Sequence, residues 1–247
     1  MSGHSKWHSI KHQKAAADAK RGAAFTKLAN AIALATKKGG SDPETNFSLR
    51  LAIQKAKASN MPAANIERSI KRGSGQLGGD QIEEITYEGY GPGGVALIIE
   101  VATDNRNRTG PEVRTALSKS GGRMADAGSV AYQFDYRGTL RLKPSDIEAA
   151  TLDAIEAGAV DVDEDEDELI VYTNPKELNA VQTKLTEMGY TPESAELAYI
   201  PKNTIVISDQ KTAQQIIKLM DTLDDMDDVT ATHANFDFDE ETAKALA

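Results

Sequence analysis

Residues 139–173 read TLRLKPSDIEAATLDAIEAGAVDVDEDEDELIVYT, and a second helical pattern and a closing strand, SAELAYI at 194–200, follow them. Alternating side chains indicate strands, and apolar residues at three- and four-residue spacing indicate helices. The predicted elements are, in order, strand 139–142, helix 145–157, strand 160–163, strand 168–173, helix 175–188 and strand 194–200. This βαββαβ order is typical of a ferredoxin-like unit, which we place at residues 137–202.

The segments on both sides of this unit continue the mixture of strands and helices. Before the ferredoxin-like unit we predict strands 82–88 and 95–103, a helix at about 110–120 and strand 130–135. After the unit we predict strand 204–208, a helix containing Ile216, Ile217, Met220 and Leu223, and strand 229–236. We predict that residues 80–136 and 203–247 complete one another as one discontinuous α/β domain. The ferredoxin-like unit is then an insertion into that domain.

The first 79 residues have a different pattern, which predicts three helices. Apolar residues recur along 19–38, and Gly39 and Gly40 stop this first helix. Ser41 and Glu44 stand at the spacing of a capping box, so we expect the second helix to begin there. A third helix ends at Gly73, and the glycine-rich residues 73–79 form a linker. The predicted fold class is therefore α+β, with an N-terminal three-helix domain at 1–79 followed by two α/β domains.

The charge of the chain is strongly polarised. The net charge is −10, but residues 1–79 contain 14 basic and four acidic residues, which leaves 14 basic and 34 acidic residues for the remainder. Such a chain orients its basic end toward a polyanion. We therefore predict nucleic-acid contacts from the helical domain, through Lys6, Lys11, Lys14, Lys20, Arg21, Lys27, Lys38, Arg68, Lys71 and Arg72. The alternative is that the basic domain docks against acidic neighbours in the same chain.

A second candidate lies in the loop at residues 104–109, which reads DNRNRT. We expect it to precede a helix that begins near Gly110, where free backbone N–H groups favour anions. Arg106 and Arg108 then clamp a phosphate. The alternative is that both arginines pair with Asp104 and Glu112 as local scaffolding, and the residues alone leave the two interpretations equal.

Other motifs argue against enzyme and metal chemistry. The glycines at 89, 91 and 94 match a dinucleotide-binding pattern in spelling, but they join two strands, so a hairpin is the better interpretation. A third alternative is that this backbone-rich tip presses against RNA or a ribosomal partner. The acidic residues at 161–165 lack the glycine and the final glutamate of a calcium loop. His4, His8 and His12 have helical spacing, but no nearby carboxylate orients them. We expect no metal, no cofactor and no catalytic residue.

Composition points to a cytoplasmic protein. The chain has no cysteine, and no uninterrupted apolar run approaches the ~20 residues that a transmembrane helix requires. The N-terminus is charged within six residues and has no apolar signal-peptide core. We therefore expect no membrane partner.

Several strings, taken in order, resemble the YebC family. They are residues 3–7 (GHSKW), 14–22 (KAAADAKRG), 25–27 (FTK), 87–94 (YEGYGPGG), 104–109 (DNRNRT) and 128–132 (GSVAY). The resemblance implies a helical N-terminal domain and two α/β domains. It also implies a DNA-binding transcriptional regulator, since bacterial members are described in that way. Related mitochondrial members are similar to translational activators, and a ribosomal role has been proposed for bacterial members as well.

The residues choose only partly between these roles. Lysine and arginine contacts to phosphates give affinity without sequence information, and base reading requires a helix that presents Arg, Asn or Gln to a groove. The first helix presents lysine and alanine, which suits the backbone of DNA or of structured RNA. The acidic remainder is repelled by bare duplex, which makes the ribosome a serious second partner. The oligomeric state is not indicated by the sequence.

Overall fold

A computed structural model of the protein describes residues 21–78, 81–165 and 167–246. Its element order confirms the predicted α+β class, with helices first and sheets afterwards. Within these ranges no helix is long and apolar enough to cross a membrane.

Three helices form the helical part of the described chain: α1 (Arg21–Gly39), α2 (Phe47–Ala58) and α3 (Ala63–Gly73). Their small core is built around Ile32, Leu49, Met61 and Ile66. The predicted capping box at Ser41 is wrong, because α2 begins six residues later. The Asn46 side chain accepts a hydrogen bond from the backbone N–H of Leu49, and asparagine is one of the strongest N-cap residues.

The outer α/β part begins with a hairpin of β1 (Glu83–Tyr90) and β2 (Ala96–Thr103), which pair antiparallel along their full length. Gly93 and Gly94 adopt positive φ in the turn, so the hairpin interpretation of the glycines is confirmed. Helix α4 (Arg106–Lys119) and the edge strand β3 (Arg123–Ala125) follow. The predicted start of α4 near Gly110 is wrong, because Asn105 caps the helix one turn earlier.

The inserted unit has the predicted βαββαβ order. Its elements are β4 (Phe134–Leu142), α5 (Ile147–Ala157), β5 (Asp161–Asp165), β6 (Glu168–Thr173), α6 (Leu178–Glu187) and β7 (Ser194–Pro201). The antiparallel sheet order β5-β6-β4-β7 is ferredoxin-like. The predicted separate strands at 130–135 and 139–142 are wrong in their bounds: residues 131–133 form a short 3₁₀ turn, and β4 then continues through Gly138, where a side chain would collide with Thr173.

The chain then returns to the outer α/β part through β8 (Ile205–Ile207), α7 (Gln210–Asp224), β9 (Val229–Ala234), β10 (Phe236–Phe238) and α8 (Glu240–Leu246). Strand β9 pairs with β2 and completes the sheet β3-β1-β2-β9. The predicted single strand at 229–236 is wrong, because the chain changes sheets at Asn235. The buried side chain of Asn235 accepts from the N–H of Ala96 at 2.7 Å, and β10 pairs with β8 instead.

The helical part packs on both α/β parts. Ala33 of α1 lies in one buried cluster with Ile82 and Ala102, while Phe47 and Leu51 of α2 pack against the core of the inserted unit. The helical part is therefore seated across both α/β parts, and the exact domain boundaries at 79, 136 and 202 remain a prediction.

Candidate nucleic-acid interface

The outer face of α3 and the end of α2 carry the exposed cations Lys57, Arg68 and Lys71. Ile66 and Ile70 point α3 toward the helical core, so Arg68 and Lys71, three residues apart, lie together on the opposite side. Within the described residues these three side chains form no ion pair. Their charge is therefore available to a ligand.

The basic side chains at the end of α1 face a different environment. Lys38 forms an ion pair with Glu84, and Lys37 donates a hydrogen bond to the carbonyl of Ile82 at 2.8 Å. Lys27 is half-buried. Folding thus brings acceptors from the outer α/β part to this end of the helical part.

Arg72 is directed into the protein. Its guanidinium donates to the side-chain oxygen of Asn30 at 2.9 Å and to the carboxylate of Asp104 at 2.8 Å. Asn30 is buried and donates in turn to the carbonyl of Asp227 at 3.3 Å. Arg72 therefore joins α1 and α3 to the outer α/β part.

Arg108 is anchored by a buried carboxylate that lies 120 residues further along the chain. Its guanidinium is 2.7 Å from Asp228, which also accepts hydrogen bonds from the hydroxyls of Thr109 at 2.6 Å and Thr103 at 3.0 Å. Burial by itself raises the pKa of Asp228, but the hydrogen bonds from Arg108, Thr109 and Thr103 outweigh it, and the pKa lies below its usual value. Asp228 is ionised at neutral pH.

Two arginines in the first turn of α4 stand at the positive end of the helix dipole, which disfavours cations. Asp104 lies 3.5 Å from Arg108 and offsets part of this cost, together with Asp228. The scaffolding interpretation thus describes the contacts of Arg108, although the sequence offered no sign of Asp228. Arg106, in contrast, is exposed and makes no ion pair in the described residues, so its phosphate contact stays a prediction.

The remaining sequence candidates lie outside the described residues: Lys6, Lys11, Lys14 and Lys20, and with them His4, His8 and His12. Arg21 is the first residue of α1, and its side chain is not described. In the described ranges, no group of three or more His, Cys, Asp or Glu residues is arranged to hold a metal ion.

Glu88 fixes the loop that follows β3. Its buried carboxylate accepts hydrogen bonds from the backbone N–H groups of Gly128, Val130 and Ala131. Burial raises the pKa of Glu88, but these three N–H groups outweigh that effect and leave the pKa below its usual range. The side chain is a structural anchor.

These features define a class of protein with a cationic helical part seated on two α/β units. Two family models match the chain. Residues 5–76 match a model described as "TACO1/YebC protein N-terminal domain", and residues 82–236 match one described as "TACO1/YebC second and third domain". The chain belongs to the TACO1/YebC family, which confirms the resemblance seen in the sequence.

Curated relatives match the chain over its full length. Proteins of Halothermothrix orenii and Persephonella marina, each named "Probable transcriptional regulatory protein", are 49% and 48% identical over 100% of this chain and 99% and 100% of their own. The crystal structure of a conserved hypothetical protein from Aquifex aeolicus is 46% identical and superposes with a TM-score of 0.83. That comparison covers 90% of this chain and 93% of the other.

Proposed function

We propose that this protein is a cytoplasmic, non-enzymatic regulator of gene expression that binds the phosphate backbone of a double-helical nucleic acid through its helical part. The observation that carries the proposal is the group of Lys57, Arg68 and Lys71, which are exposed and lack an acidic partner in the described residues. Cations of this kind supply most of the affinity of proteins for nucleic acid.

Local composition supports the same surface. Residues 24–78 carry nine basic and three acidic side chains, although the chain as a whole is acidic. The basic residues outside the described ranges, from Lys6 to Lys20, extend this excess. Glu84, Asp104 and Glu196 neutralise part of this excess. The remaining positive charge attracts a phosphate backbone that approaches the helical side.

The exposed residues of α3 fit backbone binding better than base reading. Helix α3 ends at Gly73, directly after these residues. Arg72, the last basic residue of the helix, is engaged with Asp104, which leaves Arg68 and Lys71. A recognition helix needs several polar side chains free to enter a groove. We therefore expect affinity that depends strongly on salt and weakly on base sequence.

DNA is the first target to test, because the relatives are named probable transcriptional regulatory proteins. The ribosome is the second candidate, and charge distribution favours it. The inserted unit at 137–202 contains 15 acidic and six basic residues, which bare duplex repels but basic ribosomal proteins attract. In this alternative the helical part holds ribosomal RNA while the inserted unit faces protein.

The test is a titration of the full chain with a duplex DNA, a structured RNA and purified ribosomes over a series of salt concentrations. We compare the wild type with a Lys57→Gln/Arg68→Gln/Lys71→Gln variant. Each lost phosphate contact lowers the slope of log K against log[salt] by about 0.9 on DNA, so the slope should fall by roughly 2 to 3.

The matched control is Lys176→Gln/Lys211→Gln/Lys218→Gln, which removes the same charge from exposed positions of the α/β parts. It should retain the wild-type slope. If both variants bind as the wild type does, the helical part is not the binding surface. Preference for a promoter fragment over random DNA supports transcription, and binding confined to ribosomes supports translation.

A further inference from the structure

A second group of unpaired cations lies in the outer α/β part, far from the helical surface. Arg114, Lys119 and Arg123 are exposed, and within the described residues they form no ion pair. The polar and ring contacts of the two arginine side chains in the described residues are weak. Arg114 lies 3.8 Å from the sulfur of Met124, and the guanidinium carbon of Arg123 is 4.9 Å from the centroid of the Tyr90 ring.

The fold brings these side chains together at an open edge. Helix α4 ends at Lys119, a tight turn follows, and β3 begins at Arg123 as the outermost strand of its sheet. Arg114 reaches the face of β3 that carries Met124, whereas Arg123 lies on the other face, over Tyr90. The two arginines therefore flank the sheet edge on both sides.

A hollow of about 580 Å³ lies beside Arg123. Its walls are Tyr90, Arg123 and five glycines, Gly91, Gly93, Gly94, Gly121 and Gly122. Gly122 has to be glycine, because a Cβ there would stand 2.3 Å from the carbonyl oxygen of Tyr90, whereas Gly94 and Gly121 face open space. A ligand can thus approach backbone on most sides of the hollow without meeting a side chain.

We infer that this rim, defined by Arg114, Lys119, Arg123 and the glycine hollow, is a second binding surface for a nucleic-acid phosphodiester backbone. Arginine and lysine beside a hollow lined mostly by glycine suit a ligand that is anionic, repetitive and bulky. The inference rests on the proposed function, and it extends that function to a part of the chain that is otherwise acidic.

The rim and the place where α1 packs lie at opposite ends of β2. Helix α1 packs on Ala102 near one end of β2, and the hollow lies beyond Ala96 at the other end. At about 3.4 Å per residue, this part of β2 alone spans roughly 20 Å. Two surfaces on one body bind a continuous duplex more tightly than either binds alone, because the second contact is intramolecular.

The test is the same salt titration of the full chain, with an Arg114→Gln/Lys119→Gln/Arg123→Gln variant. We expect the slope of log K against log[salt] to fall by about 2 on duplex, with roughly a tenfold loss of affinity at moderate salt. The control is again Lys176→Gln/Lys211→Gln/Lys218→Gln, which should bind as the wild type does.

The outcomes separate this inference from the proposed function. Suppose that the rim variant binds like the control and that the helical variant has a smaller slope of log K against log[salt]. The rim is then not a binding surface, and the proposed function is retained. If instead the rim variant has a smaller salt slope and the helical variant binds as the wild type does, the rim is supported and the helical part is not the main binding surface. If neither variant differs from the wild type, both proposals fail.

Two further measurements examine the ligand and the hollow. Polyglutamate should compete poorly with duplex for the wild type; competition as strong as that of duplex overturns the phosphodiester assignment in favour of an acidic protein. Gly121→Asn keeps a residue that tolerates the positive φ of +83° but places a side chain at the hollow. It should lower affinity and leave the salt slope unchanged, and an unaltered affinity overturns the role of the hollow.

Discussion

Helix α3 carries basic residues on its outer face and on the side that meets the rest of the protein, and the two groups have different contacts. Arg68 and Lys71 face outward without an ion pair in the described chain, whereas Arg72, the next residue, holds Asn30 and Asp104. The same contrast divides Arg106 from Arg108, since only Arg108 reaches Asp228. A cation becomes part of the scaffold when the fold places a carboxylate against it, and it remains available to a ligand when the fold does not.

A count of basic residues therefore overstates the size of the binding surface. Of the sequence candidates with described side chains, Lys38, Arg72 and Arg108 are engaged with acidic residues of the outer α/β part. The alternative in which basic residues dock against acidic neighbours therefore describes these contacts, while Arg68 and Lys71 fit the binding interpretation. The binding of nucleic acid by Arg68 and Lys71 stays a prediction.

The largest effect is expected at Asp228. In Asp228→Ala the guanidinium of Arg108 and two buried hydroxyls lose their acceptor, so the free energy of unfolding should fall by about 3 kcal/mol. The matched control is Asp227→Ala, because the neighbouring residue is exposed, and it should change stability by less than about 0.5 kcal/mol. Denaturant unfolding measures both, and equal losses would show that Asp228 is not the anchor.

The same residue should make stability depend on acidity. The pKa of Asp228 in the folded chain lies below its usual value of 3.8, so its contribution is complete above that value and is lost as the pH falls through the folded pKa. The difference in unfolding free energy between wild type and Asp228→Ala should therefore shrink below about pH 4. A difference that stays constant down to strong acid contradicts the assignment.

A smaller effect is expected for Arg72, and its neighbour Arg68 provides the control. The Arg72–Asp104 pair is about one-third exposed, so Arg72→Met should cost about 1 kcal/mol of stability and leave the salt slope of nucleic-acid binding unchanged. Arg68→Met should leave stability within about 0.5 kcal/mol and reduce the slope. If Arg72→Met lowered the salt slope and Arg68→Met lowered the stability, the division between scaffold and ligand surface would be contradicted.

Local patterns were enough to predict most elements but not all of their ends. The capping box at Ser41 has the correct spacing, yet Asn46 stands closer to the apolar run and caps α2. The predicted start of α4 near Gly110 is one turn late, because Asn105 supplies the cap. Competing caps a few residues apart have similar propensities, so tertiary packing decides between them.

Local sequence patterns do not predict the long-range contacts. Asp228 stands in an acidic segment, and nothing local connects it to Arg108. Asn235 divides the predicted last strand because its side chain replaces a strand partner at Ala96. The ferredoxin-like order could be predicted, in contrast, because each of its elements carries its own hydrophobic period.

The proposed binding surface is the cationic face of the helical part. Photocrosslinking of the full chain to nucleic acid in cells, followed by separate recovery of DNA and RNA and by mass spectrometry of the attached peptides, tests it most directly. We expect crosslinked peptides that contain Lys57, Arg68 or Lys71. Crosslinks confined to the inserted unit at 137–202 would contradict it.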